Sequence, residues 1–171
     1  TAEINQELAR LFTNFGQNVL KDENEGVIYL DQESDLAGLP QGVRDGMAQG
    51  AEGRGQKGKW AIANTRSSVE PFLTYADNRA LREQAWRMFV NRGDNGGAPD
   101  NNATISQILQ LRAARAKLLG FPTHAHWRLE NAMAKTPDRA MELMEAVWTP
   151  AVARVHEEVA DMQKIADAEQ A

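Results

Sequence analysis

Between Leu111 and Thr136 the chain spells out a helix, a stop and a second helix, and this limits the fold more than any other stretch. Gly120 offers the left-handed residue on which helices end. Pro122 cannot continue a helix, and Thr123 is placed to cap a new one over residues 124–135. Thr136-Pro137-Asp138 then starts the last helix with a cap, a proline at the first helical position and an acid at the positive end. Met141, Met144, Val147, Trp148, Val152, Val155, Val159 and Met162 recur along it at helical spacing. Pro150 lacks an N–H and crowds the preceding turn, so a kink is expected there.

The rest of the chain is also mainly helical. Ile4, Leu8, Leu11, Phe12, Phe15, Val19 and Leu20 mark one apolar face over residues 3–21. Val27–Leu30 is short, β-branched and aromatic, and residues 59–64 alternate. The two runs are expected to pair as an antiparallel ribbon, Val27–Leu30 against Trp60–Asn64. Asp31–Leu39 reads as a turn with one helical turn inside it. Residues 41–58 hold Gly42, Gly46, Gly50, Gly53, Gly55 and Gly58. Each glycine inside a helix costs about 1 kcal/mol relative to alanine, so a weak helix running into a mobile loop is expected. Ser67 with Glu70 has capping-box spacing for a helix ending near Tyr75, and Asp77 is expected to cap a helix with Leu81, Ala85, Met88 and Phe89 on one face. Residues 91–102 are rich in Gly, Asp and Asn and form a loop. Asn101 or Asn102 then caps a helix whose inner face is Ile105, Ile108, Leu109, Arg112, Ala116 and Leu119. The fold class is therefore mostly α, a multi-helix lobe with one small two-stranded antiparallel ribbon. Residues 1–171 are taken as a single helical region, long enough to bury a core.

Composition removes several function classes. A net charge of -5 argues against a nucleic-acid platform. With no cysteine, disulfides and thiolate zinc sites are impossible. No apolar run reaches the length of a membrane span, and Thr1-Ala2-Glu3-Ile4 does not begin a signal peptide. The helical pattern starts almost at residue 1 and runs through Ile165 and Ala166 to Ala171 without a stop, as in a piece of a longer protein.

Several short motifs carry a tempting chemistry and a plainer explanation. His156-Glu157-Glu158-Val159-Ala160 begins like a zinc helix, but a second histidine would have to stand at position 160. A solvated helix face explains it. His124 and His126, two apart on a helix, point in nearly opposite directions and read as structural. The acidic loop from Asp94 to Asn102 lacks the alternating ligands and closing glutamate of an EF-hand. Arg92-Gly93-Asp94 is the tripeptide of integrin ligands, yet three residues recur by chance. Asn102-Ala103-Thr104 fits a glycosylation acceptor, which matters only in a eukaryotic secretory protein. Gly53, Gly58 and Lys59 have phosphate-loop spacing, but Trp60 stands where Ser or Thr is needed and leads into a strand. No catalytic, cofactor-binding or metal residue is assigned.

Many segments resemble, in order, the thimet-oligopeptidase-like zinc metallopeptidases, the family of oligopeptidase A and peptidyl-dipeptidase. These are Ser34–Pro40, Gly58–Trp60, Tyr75–Glu83, Asn91–Asn95, Asp100–Asn102, Leu111–Arg112, Lys117–Gly120, Thr123–Ala125, Leu129–Glu130 and Met133–Thr136. The first and fourth look closest to the peptidyl-dipeptidase (dipeptidyl carboxypeptidase) branch. The resemblance implies a cytoplasmic, zinc-dependent parent that cuts short peptides in a deep channel, with this region in the helical lobe beside it. The family's H-E-x-x-H helix lies C-terminal to the matched region, and the chain contains no such motif. The expectations are zinc in the parent and none in this chain. Short peptides and the catalytic half of the same polypeptide are the expected partners, with no nucleic acid and no membrane. A competing reading is a free-standing helical interaction module. An isolated piece is expected to self-associate, with Phe12, Phe15, Met144 or Trp148 partly exposed or buried only in an intermolecular contact.

Overall fold

A computed structural model describes residues 1–169. Among them are seven α-helices, one 3-10 helix and one two-stranded antiparallel sheet, the expected fold class. They divide into two compact units, residues 2–110 and the residues from Leu111 onward.

The first unit is built on the ribbon. β1 (Val27–Leu30) pairs with β2 (Trp60–Ala63), with Ile28 opposite Ile62 and Leu30 opposite Trp60. Alternation sends these four side chains to one face, where they join Leu36, Met47, Val69 and Phe72 in the core. α1 (Ala2–Glu25) is longer than its apolar pattern and buries only Leu8, Leu11 and Asp22. Phe12 and Phe15 remain exposed, as anticipated. Glu33–Leu36 forms the 3-10 turn expected after β1.

α2 (Gln41–Glu52) is a full helix despite its glycines. Met47 and Ala51 are buried on it, and packing of such a face outweighs poor propensity. α3 (Arg66–Tyr75) and α4 (Arg79–Val90) each begin differently from the expected caps. Thr65 is the residue before α3, and Ser67 lies inside the helix. The neighbouring Ser68 hydroxyl accepts from the Ala63 N–H at 3.0 Å and so ties the start of α3 to the end of β2. On α4 the cap is Asn78, whose side chain accepts from the Leu81 N–H at 3.2 Å; Asp77 stands one residue too early.

α5 (Asn102–Leu118) starts after the loop, and its first N–H donates to Asp100 Oδ1 at 2.8 Å instead of to an asparagine cap. Its inner stripe is also rotated from the expected one. Ile108 and Ala116 are buried and Arg112 is half-buried, but Ile105, Leu109 and Leu119 are exposed, while Leu111 and Arg115 turn inward. The helix ends as expected. Gly120 has φ 81°, Phe121 N–H bonds back to Ala116 C=O at 3.0 Å, and Gly120 N–H to Lys117 C=O at 3.1 Å. These are the paired bonds of a Schellman ending.

In the second unit, Thr123 caps α6 (His124–Leu129), its hydroxyl accepting from the His126 N–H at 3.3 Å. The helix does not reach residue 135. Beyond Leu129 the bonds shorten to i→i−3, Ala132 to Leu129 at 2.9 Å and Lys135 to Ala132 at 3.2 Å, and Lys135 takes φ 65°. α7 (Pro137–Glu169) opens on Thr136, whose hydroxyl accepts from the Arg139 N–H at 3.3 Å, as the Thr-Pro-Asp signal predicts. The helix passes through Pro150 and buries none of its described residues.

Candidate functional site

The densest polar construction joins the loop after α4 to α1. Asp22, almost fully buried, accepts from the Gly93 N–H at 2.7 Å and from Asn95 Nδ2 at 2.9 Å. Buried Asn101 accepts from Asn18 Nδ2 at 2.9 Å, donates to the Phe15 carbonyl at 3.2 Å, and bonds through its N–H to Gly93 C=O at 2.7 Å. Arg92 pairs with Glu23 at 2.6 Å and lies 3.9 Å over the Phe89 ring. Each buried polar group here has a partner, as burial demands.

This explains the two motifs that fall in the loop. The Arg-Gly-Asp tripeptide is used internally: Arg92 is held by Glu23, and Gly93 by Asp22. Gly93 has φ 75°, and a Cβ there would stand 2.8 Å from Asn101 Nδ2, so only glycine fits. Of the acids that suggested a calcium loop, Asp94 accepts from Asn102 Nδ2 at 2.6 Å, and Asp100 accepts from the Gly96 and Asn102 N–H groups at 3.0 and 2.8 Å. Those backbone donors hold the Asp100 carboxyl below its ordinary value. The carboxylates are occupied in shaping the loop. The side chain of Asn102 in the glycosylation pattern is likewise engaged.

The second cluster lies around α6. His124 packs on Trp127 with ring centroids 5.5 Å apart. Arg115 and Arg128 approach the same indole at 4.5 and 5.6 Å. Burial first, and then the charges of Arg112, Arg115 and Arg128, lower the His124 pKa, and its Nδ1 has no hydrogen-bond partner. His126 turns elsewhere, its Nδ1 2.8 Å from the Thr123 hydroxyl. The two histidines therefore share no ligand geometry.

The remaining motifs are scattered. Lys59 pairs with Asp31 at 2.9 Å beside the ribbon, and His156 is exposed on α7. Gly42, Gly46 and Gly50 line a groove of about 400 Å³ with Ala61, Ser67 and Ser68. Among the described residues no group of three or more His, Cys, Asp or Glu could hold a metal ion. The donors present do not fit a zinc site, which takes about three protein ligands and an open position. No helix among the described residues is long and apolar enough to cross a membrane.

Comparison with known proteins adds what the geometry lacks. Residues 72–171 match the family model described as Peptidase family M3. Dipeptidyl carboxypeptidase of Salmonella typhimurium is 33% identical over 167 residues, which cover 98% of this chain and 25% of that protein. Oligopeptidase A of Escherichia coli is 30% identical over 171 residues, covering 98% and 25% respectively. The probable cytosolic oligopeptidase A of Arabidopsis thaliana is 36% identical over 160 residues, covering 88% and 22%. The chain thus spans about a quarter of the length of the curated relatives it matches.

Proposed function

The chain belongs to peptidase family M3, and on that premise we propose that it is a non-catalytic region of a zinc-dependent peptidase that hydrolyses short peptides. In this reading it helps wall the substrate channel, and the catalytic half of the same polypeptide carries the metal. The carrying observation is a pairing of two facts. The chain aligns over nearly its whole length with peptidases four times longer, and its histidines are dispersed over α6 and α7 with no common focus. The name of the Arabidopsis relative supports a cytoplasmic parent, although another relative there is named organellar.

One observation favours the rival reading of a free-standing interaction module, namely the exposed apolar face of α7. The coding sequence beyond Ala171 separates the two. An H-E-x-x-H helix with a later glutamate supports the peptidase region; a stop codon directly after Ala171 supports the module.

A further inference from the structure

We propose that the N-terminal half of α7, residues 137–151, is a docking surface for one amphipathic helix bearing lysine or arginine along one rim. That helix belongs to the part of the polypeptide outside this chain. The inference rests on the reading of the chain as a region of a longer peptidase, and adds the chemistry of what covers it.

Three observations point there. First, Met141, Met144, Val147 and Trp148 stand on one helical stripe, and all are exposed, Trp148 at 66%. A stripe of this width normally faces a core. Second, Asp138, Glu142 and Glu145 follow one another at i, i+4, i+7 along one border of that stripe. Among the described residues, no ion pair joins any of the three to a base. The only cation in this half, Arg139, stands one turn before Glu142 but forms no ion pair with it among the described residues. Third, the C-terminal half behaves differently. There Arg154 pairs with Glu157 and Glu158 at 3.0 and 3.1 Å, and Lys164 with Asp161 at 2.9 Å. Glu157, Glu158 and Asp161 are thus paired within the helix, whereas the three acids beside the Met-Trp stripe are not.

An apolar stripe with a bare acidic border selects its occupant by charge. A basic rim lying against Asp138, Glu142 and Glu145 gains attraction, and a second copy of this same segment would set acid against acid. Methionine side chains suit such a face because they adapt to an incoming helix. Three quarters of the relatives' length lies outside the chain, which leaves ample polypeptide to supply the helix.

Two synthetic helical peptides with the same leucine face, one with a lysine rim and one with a glutamate rim, test this by calorimetry on the whole chain. The lysine peptide is expected to bind at least about tenfold tighter at low salt, the difference shrinking as salt screens it. In the D138K/E142K/E145K variant the preference should reverse, and Trp148→Ala should weaken both peptides while helix content by circular dichroism stays unchanged. Equal binding of the two peptides, binding of neither, or an unchanged preference in the variant overturns the proposal. So does a dimer that W148A dissociates, because the occupant is then a second copy. None of these results bears on whether the parent hydrolyses peptides, which is read by its own assay.

Discussion

Two single residues show how much of this chain is committed to holding itself together. Gly93 is needed twice, for its left-handed backbone and for the space beside Asn101. Gly93→Ala should destabilise the fold by about 1–3 kcal/mol, the range for a strained backbone position. Gly97→Ala is the control, since a Cβ there meets only Pro99 at ordinary contact, 3.6 Å. Urea unfolding of both variants checks this, and equal effects would remove the explanation. His124 gives a pH dependence. Its folded pKa lies below its ordinary 6.5, so above that value both folded and unfolded chains hold it neutral. As pH falls below 6.5 the unfolded chain takes up the proton first, and stability is lost until the folded pKa is passed. Melting temperatures measured downward from pH 7.5 should fall through this window, and the fall should be smaller in His124→Asn. An identical profile in the variant would exclude His124 as the cause.

At the scale of elements, tertiary support varies along the chain. β2 and α3 contribute Ile62, Val69 and Phe72 to the core, whereas α7 buries nothing among its described residues. Hydrogen exchange should therefore be slowest at β2 and α3 and fast along α7, because local opening follows the number of buried contacts. Protection in α7 equal to that of α3 would show that its apolar face is covered. Elements were legible in the sequence wherever a single local device decides them. The ribbon followed from β-branched alternation, the end of α5 from Gly120, and the starts of α6 and α7 from Thr123 and Thr136. The misreadings share a cause, a long-range or polar partner that periodicity does not see. The inner stripe of α5 keeps Ile108, Arg112 and Ala116 but takes in Leu111 and Arg115 in place of Ile105, Leu109 and Leu119, a rotation that a hydrophobic pattern alone does not predict. α2 looked weak from its glycines because the packing of Met47 and Ala51 is invisible locally. Ser67 reads as a cap, yet Thr65 precedes α3 and Ser67 lies inside it, a shift that the Ser-Glu spacing alone does not reveal. The extent of α6 was overestimated because the turn forced before Pro137 spends the residues after Leu129.

At the scale of the whole molecule, family membership and the dispersal of titratable groups say different things. Membership in Peptidase family M3 points to hydrolysis of peptides, while the buried polar groups around Asp22 and Asn101 are engaged in holding the loop after α4 to α1. Under the proposed function the two are reconciled by a division of labour within a longer polypeptide. The sequence resemblance gave this outline because ordered matches run along almost the whole chain. It offered no site residues on this chain. The most direct test is the cleavage of a short quenched fluorogenic peptide, with and without added zinc, by the 171-residue chain and by the full polypeptide of its reading frame. The account predicts no cleavage by the chain alone and zinc-dependent cleavage by the full polypeptide, abolished by a chelator; cleavage by the chain alone, or a full polypeptide that leaves the peptide intact, would contradict it.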